Sequence, residues 1–348
     1  MCLLFSKANQ ILVHFLHGRL FIGVIFLGFV NITHAEQLKF DKVLSDDDYL
    51  LSYQWHDHQK QLQEITLTLP QKEIFDRYRN FGTYQNNLMH EYVNNALKRY
   101  FKQNPVSGLL LSFKEENGRY AIAIKGRNQQ LIEDTYAKIE DLKQQFQQDY
   151  LAEKYYHQFI TYDQIIGIKP DHARIANESV ADFKAHKSMI LKKASIKNIR
   201  KVSDYVLAFI QSIPYSTLES RITSSGAGFS PPLKLLWENQ GDCDSKVTLT
   251  ASLLRTLMPR IKMALIFIDN HALIGIDVAP NGDEMTIVHD GITYVLAEPT
   301  GPASLPLGEI SEQSELAINN GHYSVEPFHA LSSTELDDTE DPDEIINE

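Results

Sequence analysis

Between residues 243 and 300 the hydrophobic pattern changes its period once, and that change limits the fold more than any other feature. Val247, Ala251, Leu254 and Leu257 recur at helical spacing, and Pro259 stops the helix. Residues 261–268 and 271–278 then read as buried strands joined by a turn at Asp269-Asn270. Asn281-Gly282 marks another turn, and 285–288 with 292–296 form a hairpin about Asp290-Gly291. One helix followed by short strands on tight turns predicts an antiparallel sheet packed on that helix. Three chemically capable residues then stand at telling places. Cys243 starts the helix, His271 starts a strand, and Glu298 lies just past the end of another. In such a sheet these positions can converge at one edge.

Upstream, residues 50–156 look like one unit written twice. Leu51, Tyr53 and Trp55 alternate with polar residues, as do Ile65, Leu67 and Leu69, which predicts a hairpin. A helical stretch follows through Ile74, Phe75, Tyr78 and Phe81, then Leu88, Tyr92, Ala96 and Tyr100. The second hairpin passes Leu109, Leu111 and Phe113, turns at Asn117-Gly118 and returns through Tyr120, Ile122 and Ile124. A long helix over about 129–155 carries Ile132, Tyr136, Ile139, Leu142 and Phe146 on one side. The expected fold class is therefore α+β. A helix-on-antiparallel-sheet domain over 195–325 is preceded by a smaller α+β domain of two hairpin–helix units over 36–165. Residues 166–194 read as a connecting segment with some helix. Ile199, Val202, Val206, Phe209 and Ile213 predict the later domain's first helix, and a Ser/Gly-rich loop follows over 223–230. His56 and His58 flank Asp57 at the first hairpin turn with no further ligand, so a solvated turn is expected there.

Charge is unevenly spread along the 348 residues. No Lys or Arg follows Lys262, whereas 18 acidic residues do. The leader, 1–35, holds two basic residues and no acidic ones, which leaves the middle of the chain near balance. No face combines clustered Lys and Arg with interleaved aromatics, which argues against a nucleic-acid partner. Residues 326–348 contain nine acidic residues and no basic ones, the pattern of a disordered tail. Residues 20–30 form an apolar run of 11 behind Lys7 and Arg19, and Thr33-His34-Ala35 supplies a cleavage pattern. That run is too short for an ordinary transmembrane helix. A signal peptide over 1–35 and a periplasmic or secreted protein are expected; left uncleaved, the leader would be a membrane anchor. Cleavage after Ala35 removes Cys2 and leaves Cys243 as a lone thiol in an oxidising compartment.

Residues 239–246 read Asn-Gln-Gly-Asp-Cys-Asp-Ser-Lys, which places Cys243 in the first helical turn. Free N–H groups and the helix dipole there favour a thiolate and can bring a cysteine pKa to roughly 3.5–7.5. The same end can hold a developing oxyanion. Asp242 and Asp244 are expected to cap and charge this first turn.

The arrangement resembles the transglutaminase-like branch of the papain superfamily. Gly241-Asp242-Cys243 opens the helix, His271-Ala272 opens a strand, and Glu298-Pro299-Thr300 closes a later one. Residues 206–215, ending in Pro214-Tyr215, look like that family's first helix, and the likeness covers about 195–310. It implies a papain/transglutaminase-like domain in which His271 takes the Cys243 proton and Glu298 orients His271. The family's third residue is usually Asp, and Glu298 adds a methylene. Trp237 and Gln240 are candidates for the second oxyanion donor, and His289 is the rival base. The resemblance further implies an exported cysteine peptidase or amidase that works on a protein or peptide through a thioester. With an amine in place of water, the same residues give a transglutaminase-type acyl transferase. A non-catalytic binding module that keeps the fold is the rival from another class. No cofactor or metal is implied. Calcium held by the acidic tail or the acid-rich loops is the alternative, but residues 337–344 lack the Gly and the spacing of an EF-hand loop.

Overall fold

The computed structural model describes residues 35–116, 119–194, 198–220 and 228–329. The leader ahead of residue 35, the Asn117-Gly118 turn, most of the Ser/Gly-rich loop and the acidic stretch from 330 onward lie outside the described residues. The described chain is mixed α+β with antiparallel sheets.

It begins with a three-stranded sheet of β1 (Gln37–Ser45), β2 (Asp48–His56) and β3 (Leu62–Pro70), paired in that order. After α1 (Gln71–Asp76) and α2 (Asn86–Gln103) comes the hairpin of β4 (Leu109–Glu116) and β5 (Arg119–Gly126), then α3 (Gln129–Glu153). A second hairpin, β6 (Tyr156–Ile160) and β7 (Ile166–Pro170), leads into α4 (His172–Glu178), α5 (Val180–Phe183) and α6 (Lys187–Ala194). Next are α7 (Ile199–Ser212), α8 (Pro232–Glu238) and α9 (Cys243–Leu257). The chain continues through β8 (Met263–Ile268), β9 (His271–Ile276), β10 (Thr286–His289), β11 (Ile292–Ala297), α10 (Glu312–Asn319) and β12 (Ser324–Phe328). The last five strands form one sheet in the order β10-β11-β9-β8-β12, antiparallel at every step. Helix and strands thus follow the sequence pattern, and α9 lies in the largest core with β8, β9 and β11 against it.

Three expectations need correction. First, the stretch over 36–165 does not stand apart as a domain; the described residues form one compact unit. The apolar face of β2 and β3 packs on α7, with the Trp55 ring 5.0 Å from Phe209 and 5.5 Å from Tyr205. The Tyr53 hydroxyl also donates to the Leu236 carbonyl at 2.6 Å. Only the part built from α2, β4, β5 and α3 has small cores of its own, where Leu97 and Phe101 meet Ile139 and Leu142. Periodicity identifies a strand or a helix, but not which apolar face meets which. Second, residues 166–194 are more than a connection. Ala176, Phe183 and Ile190 are buried in the main core, and Ser252 on α9 donates to the Ala176 carbonyl at 2.9 Å. Third, residues 326–328 are sheet, not tail. Phe328 pairs with Met263, and the buried Arg255 donates to the Phe328 and His329 carbonyls at 2.8 and 2.6 Å. No helix among the described residues is long and apolar enough to cross a membrane.

Candidate functional site

The start of α9 is held from several sides. Tyr215 and Gly241 form a parallel bridge that fastens the approach to the helix. A Cβ on Gly241 would lie 2.6 Å from Leu235 Cδ1, so a larger residue there would force that buried leucine to move. Asp242 is the N-cap, its carboxylate accepting the Ser245 N–H at 3.0 Å. Burial and the neighbouring Asp244 raise the Asp242 carboxyl to about 7. One turn on, the fully buried Lys246 reaches the Ile213 carbonyl at 2.5 Å, and burial lowers its ammonium to about 7. Cys243 therefore enters the helix on a fixed path.

Across the cleft, His271 Nε2 lies 2.8 Å from Glu298 Oε1. The other carboxylate oxygen accepts the Ser311 N–H at 2.9 Å and the Ser314 hydroxyl at 3.0 Å. Behind it, Gln211 Nε2 donates to the Glu298 and Leu305 carbonyls at 2.9 and 2.8 Å. Burial works to raise the Glu298 carboxyl, but the hydrogen bond and charge of His271, with Ser311 and Ser314, hold it below the usual range. An ionised Glu298 only accepts, so Nε2 of His271 is the donor in this bond.

The thiol's side differs from the sequence-based expectation. The Cys243 thiol is buried, and its partners are Asp244 Oδ1 at 3.6 Å and the Asn270 carbonyl at 3.8 Å. Asn270 has φ 56, a left-handed conformation that asparagine tolerates in a tight turn. Burial first, then the charges of Asp244 and Asp242, push the thiol well above its ordinary value. The helix dipole does not prevail: loss of water around the sulfur and two carboxylates nearby outweigh it. Asp242 caps and Asp244 charges the first turn, as expected. The latter faces the cleft between the thiol and His172, whose Nε2 lies 3.6 Å from Asp244 Oδ2.

Cys243 and His271 line one cleft of about 510 Å³ at the edge of the five-stranded sheet. Its walls are the β6–β7 hairpin with Phe159 and Tyr162, the segment after α7 with Tyr215 and Glu219, and the turn 269–270. Trp237 is not part of this lining; its ring packs on Tyr49 and Phe75 with Lys42 3.7 Å above it. Gln240 is not part of it either. His289 sits at a separate pocket, 3.4 Å from Asp290. At the first hairpin turn Asp57 accepts the Gln59 and Gln61 N–H groups, and His58 Nε2 meets Gln211 Oε1 at 3.0 Å. Among the described residues no group of His, Cys, Asp and Glu is arranged to hold a metal ion. The sequence reading missed Ser311, Ser314, Gln211, Asn270 and His172. A Ser followed by Glu and Gln at 311–313 is a helix-start signal that could have exposed the first two. Comparison with protein-family models, curated proteins and solved structures yields no match.

Proposed function

We propose that this chain is a cysteine hydrolase of the transglutaminase-like type, cutting an amide bond in a peptide or protein. The observation that carries this reading is the 2.8 Å His271–Glu298 pair opening onto the same cleft as a helix-start thiol. In that chemistry His271 Nδ1 takes the Cys243 proton as sulfur attacks the carbonyl carbon. The carbonyl π pair moves onto oxygen, then returns as the C–N bond breaks. The amine departs with the proton that His271 held, which leaves a thioester. Water attacks next, His271 accepts its proton, and the C–S bond breaks to give a carboxylic acid and the restored thiol. N–H groups of the first turn of α9 are the donors available to the oxyanion. Because the resting thiol is protonated and bonded to Asp244 and Asn270, it must turn toward His271 before attack. The leader pattern supports placing this reaction outside the cytoplasm.

The reading is tested with a fluorophore-labelled denatured protein as the amide probe. Cys243→Ala should abolish cleavage while circular dichroism and thermal unfolding stay close to the parent. A folded Cys243→Ala protein that still cleaves the probe overturns the assignment. A burst of covalent acyl-enzyme, trapped by acid quench and mapped to Cys243, supports it.

A further inference from the structure

The cleft around Cys243 is more acidic than a Cys–His–Glu arrangement requires. Glu219, Asp242, Asp244 and Asp269 line it. Lys169 is the one Lys or Arg among its described lining residues, and it is engaged elsewhere. Its ammonium lies 2.7 Å from Glu326 and 3.2 Å from the centre of the Phe267 ring. Asp242 caps α9, and Asp269 accepts from the Tyr162 hydroxyl at 3.0 Å. Asp244 has no such arrangement. It accepts from the thiol, feels the Lys169 ammonium only through space, and faces His172, a fully buried ring set against Phe229 and Phe267 with neither nitrogen hydrogen-bonded. Burial lowers His172 to about 4, so it is neutral near pH 7 and brings Asp244 no charge. A buried imidazole without a hydrogen bond, facing a carboxylate in a cleft whose described lining holds more acidic than basic residues, points to Asp244 as the position a cationic group would take.

We propose that the cleft takes acyl substrates carrying a positive charge beside the scissile amide, such as a lysine or arginine side chain, with Asp244 receiving that charge. This rests on the hydrolase reading and adds its substrate class. The cation would act twice. It is drawn to the carboxylates as it enters, and it offsets the Asp244 charge that disfavours a thiolate next to it. A neutral or anionic acyl group does neither. The right substrate would thus help to ionise the nucleophile that attacks it.

Alkylation of Cys243 tests charge selection without turnover. The full chain is treated near pH 8 with 2-bromoethylammonium, iodoacetamide and iodoacetate, and each rate is divided by that of N-acetylcysteine. The cation should exceed the anion by at least about tenfold after this correction, and the gap should narrow in about 0.5 M salt. In Asp244→Asn the preference should shrink several-fold. Equal corrected rates overturn the proposal, as does a preference indifferent to salt. A second arm compares peptide amides that differ only in Lys, Gln or Glu before the scissile bond, and kcat/KM should fall in that order. If amides are cut without that order, the substrate class fails and the hydrolase reading stands. If no amide is cut but the alkylation order holds, the hydrolase reading fails and charge selection stands.

Discussion

The two sides of the cleft differ in how ready they are for chemistry. On the base side, His271 is bound to a carboxylate that takes two further donors, and Gln211 pins the backbone behind it. On the nucleophile side, the thiol rests against Asp244 and Asn270, with burial and nearby carboxylates keeping its proton on. The contrast teaches where the fold invests its rigidity. A donor set fixed before the reaction needs no reorganisation at the moment of attack. A standing thiolate would instead bear a permanent desolvation cost and be exposed to oxidation. On the proposed mechanism the base is prepared, and ionisation of the thiol is left to whatever enters.

The comparison breaks most sharply at Glu298. Replacing it by Ala strips His271 of its orienting group and leaves the Ser311 N–H and Ser314 hydroxyl without their acceptor. Amide cleavage should fall by about 10³–10⁴-fold, the scale of losing a triad carboxylate. Urea unfolding should show a loss of about 2–3 kcal/mol from the orphaned donors. Alkylation of Cys243 by iodoacetamide should change little, because the thiol's resting partners lie on the other side. A cleavage loss below tenfold would mean that something else orients His271.

The next effect lies on the nucleophile's side. His172 titrates at about 4 when folded, below the ordinary histidine value, because burial opposes its charged form. The unfolded chain binds a proton there first. Stability therefore falls as pH drops from about 6.5 to 4, and the full contribution is present only above that window. Two to three pKa units correspond to about 3 kcal/mol. His172→Leu should remove this acid-sensitive term, so its stability relative to the parent rises as pH falls through the window. Urea titrations at three pH values would check it, and parallel pH dependences in both proteins would contradict it.

Much of the C-terminal half was legible in the sequence. Val247 through Leu257, the turn at Asp269-Asn270 and the Asp290-Gly291 hairpin are local signals, and local signals set the elements that bring Cys243 and His271 to one cleft. What stayed hidden is long-range. Nothing in the alternation of β2 says that Trp55 meets Phe209, more than 150 residues on. Gln211 is one polar residue at the end of an apolar helix, and its two carbonyl partners come from 87 and 94 residues away. The thiol's environment was misread for a related reason. Sequence locates the dipole at a helix start but not how much water is lost there, and that loss decides the sign.

The smallest effect refines the picture of the prepared side. Ser314 sits in the first turn of α10, donates to Glu298 Oε2 at 3.0 Å and accepts from the Ser311 hydroxyl at 2.9 Å. In Ser314→Ala the carboxylate keeps His271 and the Ser311 N–H, so the base stays oriented and cleavage should drop only a few-fold. Loss of one hydrogen bond to a charged group should cost about 1–2 kcal/mol near pH 7. Because the folded Glu298 carboxyl is depressed, its stabilising contribution is present above the unfolded value and is lost as pH falls through the folded one. The parent should therefore lose its advantage over Ser314→Ala as pH drops toward 3, which unfolding at pH 7, 5 and 3 can follow. A gap that stays constant over that range would show that Ser314 braces α10 without acting on the Glu298 charge.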